Sequence, residues 1–475
     1  MIGRQDQIRE MKLRLNSSKA EFLVVTGRRR VGKTYLIDNV YKNNIAFHMT
    51  GIQNGALSTQ LQNFSQKLAE FSGTPYVAAA ANWQEAFVQL KQYLQTLKKT
   101  KSHVIFIDEL PWIYTVKSGF IQLLAHFWND YLSKQKNFTL VVCGSATSWI
   151  INKITNDKQG LHNRVTQWIH LKPFNLSEVE EYLLKKKIKL TRQSIVQIYM
   201  IMGGIPYYLE DIKKGESVPV MIERMCFRDD GLLKREYDNL YQALFDNPKN
   251  HEAIVAVLSK SKDGLTRSQI IKKAKLKSGG PYTRAMEELM QSGFVIEEQP
   301  FNRKKRGSVY KINDEYSTFY HKFIKKNKKY IKGMWQQLSG SQSYKIWCGY
   351  AFEMLCKKHI DGIKQSLGIA SVYTEVSSLR VPIEIHPDGG FQIDLIIDRK
   401  DATINLCEIK YHATPVKIDK TYASKLTWRQ QRFKDYTKSK KSIFNTLITN
   451  RGIVDNAYAK EVVDSTVALD ALFVK

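Results

Sequence analysis

At 475 residues the chain is too long for one ordinary hydrophobic core, so three or four folded units are expected. Its 73 Lys and Arg against 45 Asp and Glu leave a net charge of +28, which points to a polyanionic partner unless the basic surface is inert. No apolar run approaches the length needed to span a bilayer, and the five cysteines (143, 226, 348, 356 and 407) form no Cys-x-x-Cys pair. Membrane insertion, export and a disulfide framework are therefore not indicated, and reduced thiols in the cytoplasm are the economical reading.

The first element with chemistry is FLVVTGRRRVGKTYLI, Phe22 to Ile37. Apolar strand formers run into a loop in which Gly27 and Gly32 bracket Arg28, Arg29, Arg30 and Val31, followed by Lys33, Thr34 and a helix start. That is the G-x-x-x-x-G-K-[ST] phosphate-binding pattern. Its glycines let backbone N–H groups turn inward, and the helix adds its partial positive charge. ATP is the expected occupant, with Lys33 on the β and γ phosphates and Thr34 on Mg2+. The three arginines are read either as phosphate contacts or, preferably, as solvated groups on the outer face. Downstream, HVIFIDELPW ends a continuous apolar run in Asp108 and Glu109. Such runs suit parallel strands buried on both faces, whose carboxyl ends carry function. Asp108 is expected to hold Mg2+ and Glu109 to polarise water. A third buried strand, FTLVVCGSA, brings Ser145 level with the γ-phosphate. Arg164, ahead of the strand-like WIHLKPF, is either a transition-state finger for a neighbouring subunit or a surface residue. From Asn175 to about Phe245 the pattern is helical, opening with the capped start NLSEVEEYL and containing GGIPYYL.

Together these residues resemble the archaeal-type ATPases of the STAND and AAA+ superfamily. The resemblance implies that Ile2, Gly3 and Arg4 form the box beside adenine, with Gln5 in place of the usual acid. It also implies that Gly204 and Pro206 pack against nucleotide and relay its state to a helical lid. The lid motif lacks an arginine, so the oligomeric state stays open.

His251 to Asn313 reads as three helices followed by two short strands, the winged-helix order. Tyr282, Thr283 and Arg284 are expected at the N-terminal end of the reading helix, and NRKKRG, Asn302 to Gly307, at the wing tip. Ser259 to Lys345 holds 20 Lys and Arg against 7 acids, which favours DNA over a protein-contact module.

The final segment has a helix, YKIWCGYAFEMLCKKHI, carrying Glu353, and then two strand-like runs in GFQIDLIIDRKDATINLCEIKYH. A hairpin symmetric about Asp401 sets Asp394 opposite Glu408, with Lys410 on the same face. Opposed carboxylates repel unless a cation lies between them, which argues for Mg2+ or Mn2+. Asp394, Glu408 and Lys410, with Glu353 as a helical acid, resemble the core of PD-(D/E)xK nucleases, although Ile393 replaces the leading proline. An ordinary charged hairpin is the alternative. TWRQQRFKDYTKSKKS is read as a basic helix lying along a DNA backbone or as a solvated face.

The expected fold class is α/β, in five segments: a P-loop NTPase parallel sheet (1–174), a helical lid (175–248), a winged helix (249–313), a basic linker (314–345) and a small α/β restriction-endonuclease-like domain (346–475). Two functions are compatible with it. One is an ATPase that controls a metal-dependent nuclease on DNA. The other is a STAND-like switch that binds DNA or protein and cuts nothing.

Overall fold

The computed structural model describes every residue except 116, 156–160, 162, 246, 302–306, 328, 383–388 and 475. The chain divides into two compact units, Met1–Pro173 and Phe174–Lys475.

The first unit is built on five strands: β1 (Glu21–Gly27), β2 (Ile45–Thr50), β3 (His103–Asp108), β4 (Phe138–Gly144) and β5 (Gln167–Leu171). They pair in the order β2-β3-β4-β1-β5, and every pairing is parallel. Every residue of β1, β3 and β4 is buried. Their unbroken apolar runs, which have no polar face to offer solvent, account for that. Phe22, Val24, Ile105, Ile107, Leu140 and Val142 are among the strand residues of the core. Because the strands are parallel, Gly27, Asp108 and Gly144 all lie at their carboxyl ends, where Thr26 pairs with Gly144 and Ile107 with Val142. Helix α1 (Gln5–Leu15) precedes β1, α2 (Lys33–Tyr41) comes after the loop that ends β1, and α3 (Leu57–Ser72) comes after β2.

The second unit starts with α4 (Leu176–Lys185), whose first turn is closed by a capping box between Asn175 and Glu178, and continues with α5 (Arg192–Met202). After several short helices between Pro206 and Leu240, three helices follow in succession: α6 (Lys249–Leu258), α7 (Arg267–Ala274) and α8 (Gly280–Gln291). They lead into an antiparallel pair, β6 (Val295–Glu298) with β7 (Val309–Ile312), which Leu265 extends by a bridge to Tyr310. Of the expected wing tip, Asn302 to Gly307, all but Gly307 lies outside the described residues.

Residues 314–345 are not a linker. Helix α9 (Glu315–Phe319) and the helical segments Tyr320–Ile324 and Met334–Gly340 after it bury Tyr316, Phe319, Phe323 and Trp335. Lysines dominate the composition there and conceal aromatic groups at helical spacing. Helix α10 (Gln342–Lys358) then leads to a second sheet: β8 (Thr374–Val381), β9 (Phe391–Arg399), β10 (Thr403–Lys410), β11 (Ser442–Thr449) and β12 (Ser465–Val467). Strands β8, β9 and β10 are antiparallel neighbours, whereas β10, β11 and β12 run parallel, with α11 (Lys420–Thr437) crossing from β10 to β11. Glu298 of β6 ties the hairpin to this sheet and to α10, ion-paired with Lys311 at 2.5 Å and accepting from Lys357 at 2.7 Å and Ser378 at 2.7 Å. Burial raises its carboxyl, but Lys357 and Lys311 outweigh that and hold it down to about 2.

All five cysteines are buried free thiols. Among the described residues no helix is long and apolar enough to cross a membrane.

Candidate nucleotide site and acidic site

The loop between β1 and α2 takes its shape from backbone that few residues tolerate. Gly27 has φ 145°, and a Cβ there would overlap the Leu171 carbonyl of β5, so only glycine fits. Arg30 (φ 70°) and Gly32 (φ 88°) are left-handed on either side of Val31, a pattern that turns N–H groups into an anion-binding nest. Lys33 is buried at the start of α2, and its ammonium donates to Gly27 O (3.1 Å), Arg28 O (3.1 Å) and Ser145 Oγ (2.9 Å). Thr34 Oγ1 donates to Asp108 Oδ2 at 2.7 Å. Ser145 in turn donates its hydroxyl to Glu109 Oε1 (2.8 Å) and its N–H to Glu109 Oε2 (3.1 Å). The three strand ends are thus joined in one polar chain, from the loop lysine through Ser145 to Glu109. Arg4, left-handed at φ 61°, donates to Val31 O at 3.4 Å and draws the Ile2-Gly3-Arg4 box against the loop.

The residue types fit magnesium triphosphate. A buried ammonium and a nest face one end, and a hydroxyl paired with a carboxylate faces the other.

One expectation needs correction. Arg28 is buried rather than solvated, whereas Arg29 and Arg30 are half-buried. Gly204, expected against nucleotide, has a job within its own unit: its carbonyl accepts from Phe174 N–H at 2.8 Å, and a Cβ would overlap the Phe174 carbonyl. Pro206 opens the short helix Pro206–Glu210. Arg164 is exposed in a turn closed by its N–H on Leu161 O. A residue with no sequence signal completes the site's surroundings. Gln60 of α3 is fully buried and bonds Ile52 N, Ile52 O and Trp112 O, bracing the loop after β2 against the segment after Glu109.

Residues 1–212 match the ATPase domain predominantly from Archaea. This ATPase domain thus covers the first unit and continues through α4 and α5. The chain is also similar to the Walker-type ATPase of Pyrococcus abyssi, with 17% identity and a TM-score of 0.50 over 68% of this chain and 96% of that one. An uncharacterized protein of Methanocaldococcus jannaschii is 24% identical over 365 residues, 76% of this chain and 77% of the relative. Residues 1–212 are thus similar to an ATPase domain, and the loop and strands of that region lie on a parallel α/β sheet.

Beyond the ATPase domain, the second sheet gathers the other predicted residues. Cys407 pairs with Leu395 and Ile404 with Asp398, a register that continues to set Asp394 opposite Glu408. Asp394 accepts from Ile409 N–H at 3.2 Å. Its carboxyl is raised by burial and by Glu408. Glu353, reaching in from α10, is pushed up to about 7 by burial and then by Asp394. Lys262, from the turn before α7, stands over the Tyr350 ring at 4.4 Å, and its charge works to lower Glu353.

Glu408 behaves differently. Burial works to raise it, but Arg429 and Lys410 hold it below its ordinary value. Lys410 Nζ lies 2.6 Å from Oε1, Arg429 Nη1 bonds Oε2, and Tyr422 donates to Oε1 at 3.4 Å. The cation predicted between the strands is therefore, in part, the protein's own. Among the described residues no group of three or more His, Cys, Asp or Glu side chains is arranged to hold a metal. Two paired carboxylates and a helical acid are suitable donors for a hard divalent ion, but the present orientation of Glu408 is not.

Two further expectations change. The basic helix begins at Lys420, seven residues before the predicted run, and it turns Arg429 inward onto Glu408. Tyr282 is 1% exposed and belongs to the core beneath α8, leaving Thr283 and the exposed Arg284 at that end of the helix.

Proposed function

We propose that the protein is an ATP-hydrolysing regulator that acts on DNA, with a metal-dependent phosphodiesterase site in its C-terminal sheet. Asp394 opposite Glu408, with Glu353 and Lys410 alongside, is the observation that carries this reading. In the ATPase domain the nest of Arg28 to Gly32 and Lys33 hold the β and γ phosphates, and Gly3 and Arg4 lie beside the base. Thr34 and Asp108 hold Mg2+, Glu109 orients water and Ser145 reports the γ-phosphate. Arg164 completes a neighbour's site. Gly204 and Pro206 pass the nucleotide state to the lid. In the C-terminal sheet Asp394 and Glu408 would hold Mg2+ or Mn2+, which supplies an activated water and neutralises the scissile phosphate. Lys410 steadies the phosphate's charge, and Glu353 bonds the incoming water. Incubating the full chain with Mg2+ or Mn2+ and linear, branched or single-stranded DNA tests the reading.

The second reading, a nucleotide-driven switch that binds without cutting, draws support from the ion pairs that occupy Glu408. Absence of cleavage on every substrate, together with no metal uptake, selects it.

DNA contact is assigned to the three-helix segment, where Lys272, Lys273, Lys275 and Lys277 are all on or just after α7 and Lys272, Lys273 and Lys275 carry charge in and beyond its last turn. Replacing these four with glutamine is expected to weaken DNA binding regardless of sequence and to flatten the slope of log K against log salt by about 3 to 4 units. A titration showing the wild-type slope in that variant moves the footprint elsewhere.

A further inference from the structure

Arg429 occupies an unusual place for a residue in so basic a helix. Along α11, Tyr422, Leu426, Arg429 and Phe433 recur at the spacing of one buried face, and the Arg429 side chain is 13% exposed. A guanidinium on such a face needs a fixed anion, and Glu408 supplies it. The same carboxylate is the one that the proposed cleavage reaction requires for metal. Lys410 is 31% exposed, so it can swing to solvent, but Arg429 is enclosed and its release needs another anion. A ridge of cations leads to it. Lys425 and Arg432, one turn before and one turn after, share its side of α11, and Lys410 lies beside it on β10. Leu426, Arg429, Asn445 and Thr446, with Glu408 itself, also line a small cavity at the pair.

We infer that Arg429 is the phosphate ligand of the C-terminal site, and that it surrenders Glu408 to a divalent ion only when a nucleic-acid phosphate takes its guanidinium. The inference rests on the phosphodiesterase reading above. Guanidinium binds phosphate as readily as carboxylate, through the same planar fork, so the exchange replaces one charge-assisted pair with another. This sets an order of assembly. DNA docks along α11, Arg429 turns from Glu408 to the strand, and Glu408 joins Asp394 as a metal ligand. A site gated in this way binds metal weakly on its own and strongly with substrate, and by linkage metal strengthens DNA binding by the same factor.

Calorimetry of the full chain with Mn2+, with and without a phosphorothioate DNA duplex that resists cleavage, tests the gate. Arg429→Met keeps the volume and removes the competing charge. It is expected to bind Mn2+ at least about tenfold more tightly than wild type, because the competent state no longer has to be selected. The duplex should raise wild-type Mn2+ affinity by a similar factor and leave that of Arg429→Met unchanged. Wild type alone provides a check that does not depend on how the variant folds: Mn2+ should tighten duplex binding, and Glu408→Gln should abolish that tightening. If Arg429→Met and wild type bind Mn2+ equally, and Asp394→Ala removes that binding, the gate is wrong while the metal site stands. If Mn2+ binds neither protein, with or without duplex, the metal site fails and the gate fails with it.

Discussion

Lys33→Ala is expected to abolish tight ATP binding. The ammonium is buried and donates to two loop carbonyls and to Ser145, so its removal takes the buried cation from the site and leaves Gly27 O and Arg28 O without that donor. A charge-assisted bond of this kind is worth about 1.5–3 kcal/mol, and with more than one phosphate oxygen at stake a loss of at least about a hundredfold in affinity is expected. Glu109→Gln should behave differently. The new amide oxygen can still accept from Ser145 but the group cannot take up charge, so binding should persist while turnover falls by about 10²–10⁴. Nucleotide titration and phosphate release on both variants decide the matter. Wild-type hydrolysis by Lys33→Ala would remove the loop from the mechanism.

Asp394→Ala should stop DNA cleavage while leaving ATP hydrolysis and DNA binding intact, because Asp394 shares no ligand with the nucleotide loop and stands at the middle of the acidic group. It faces Glu408 across the strand pair and raises Glu353 by its charge. Loss of a metal ligand is expected to cost cleavage at least about 10³-fold, within the range carried by metal-assisted charge stabilisation. Apo stability should change little or rise, since two like charges no longer oppose each other. Gel assays with both metals and a thermal melt measure the two effects. Undiminished cutting by Asp394→Ala would place the active site elsewhere.

Where one physical rule dominated, the sequence was legible. Strands β1, β3 and β4 are continuous apolar runs, and a strand buried on both faces has no other way to be written. The β9–β10 register could be read from a turn at Asp401, because side chains alternate with period two. Legibility failed where burial and composition disagree. Lysines in 314–345 conceal Tyr316, Phe319 and Phe323, and Gln60 is buried through backbone carbonyls that no pattern announces. Arg429 left a signal that charge counting obscured: it sits on the apolar stripe of its helix, between Leu426 and Phe433. The start of that helix was marked by Asp419, whose carboxylate accepts from Tyr422 N–H at 2.8 Å.

The compact unit that begins at Phe174 means that inheritance and folding draw their boundaries in different places. The ATPase match runs to residue 212, so α4 and α5 travel with the nucleotide loop as sequence. As structure they belong with the second unit. Leu176 N–H donates to His359 at 3.1 Å, Tyr208 donates to Glu236 at 3.1 Å, and the Tyr208 ring packs 5.6 Å from that of Tyr316. A fragment ending at 212 would strand Tyr199, Tyr208 and Leu209 in water and is expected to aggregate, whereas one ending at Pro173 should melt cooperatively in a calorimeter. The reverse result would show that α4 and α5 fold with the first unit. A swap of effector domains between relatives, made at the inherited boundary, would cut through the middle of a core.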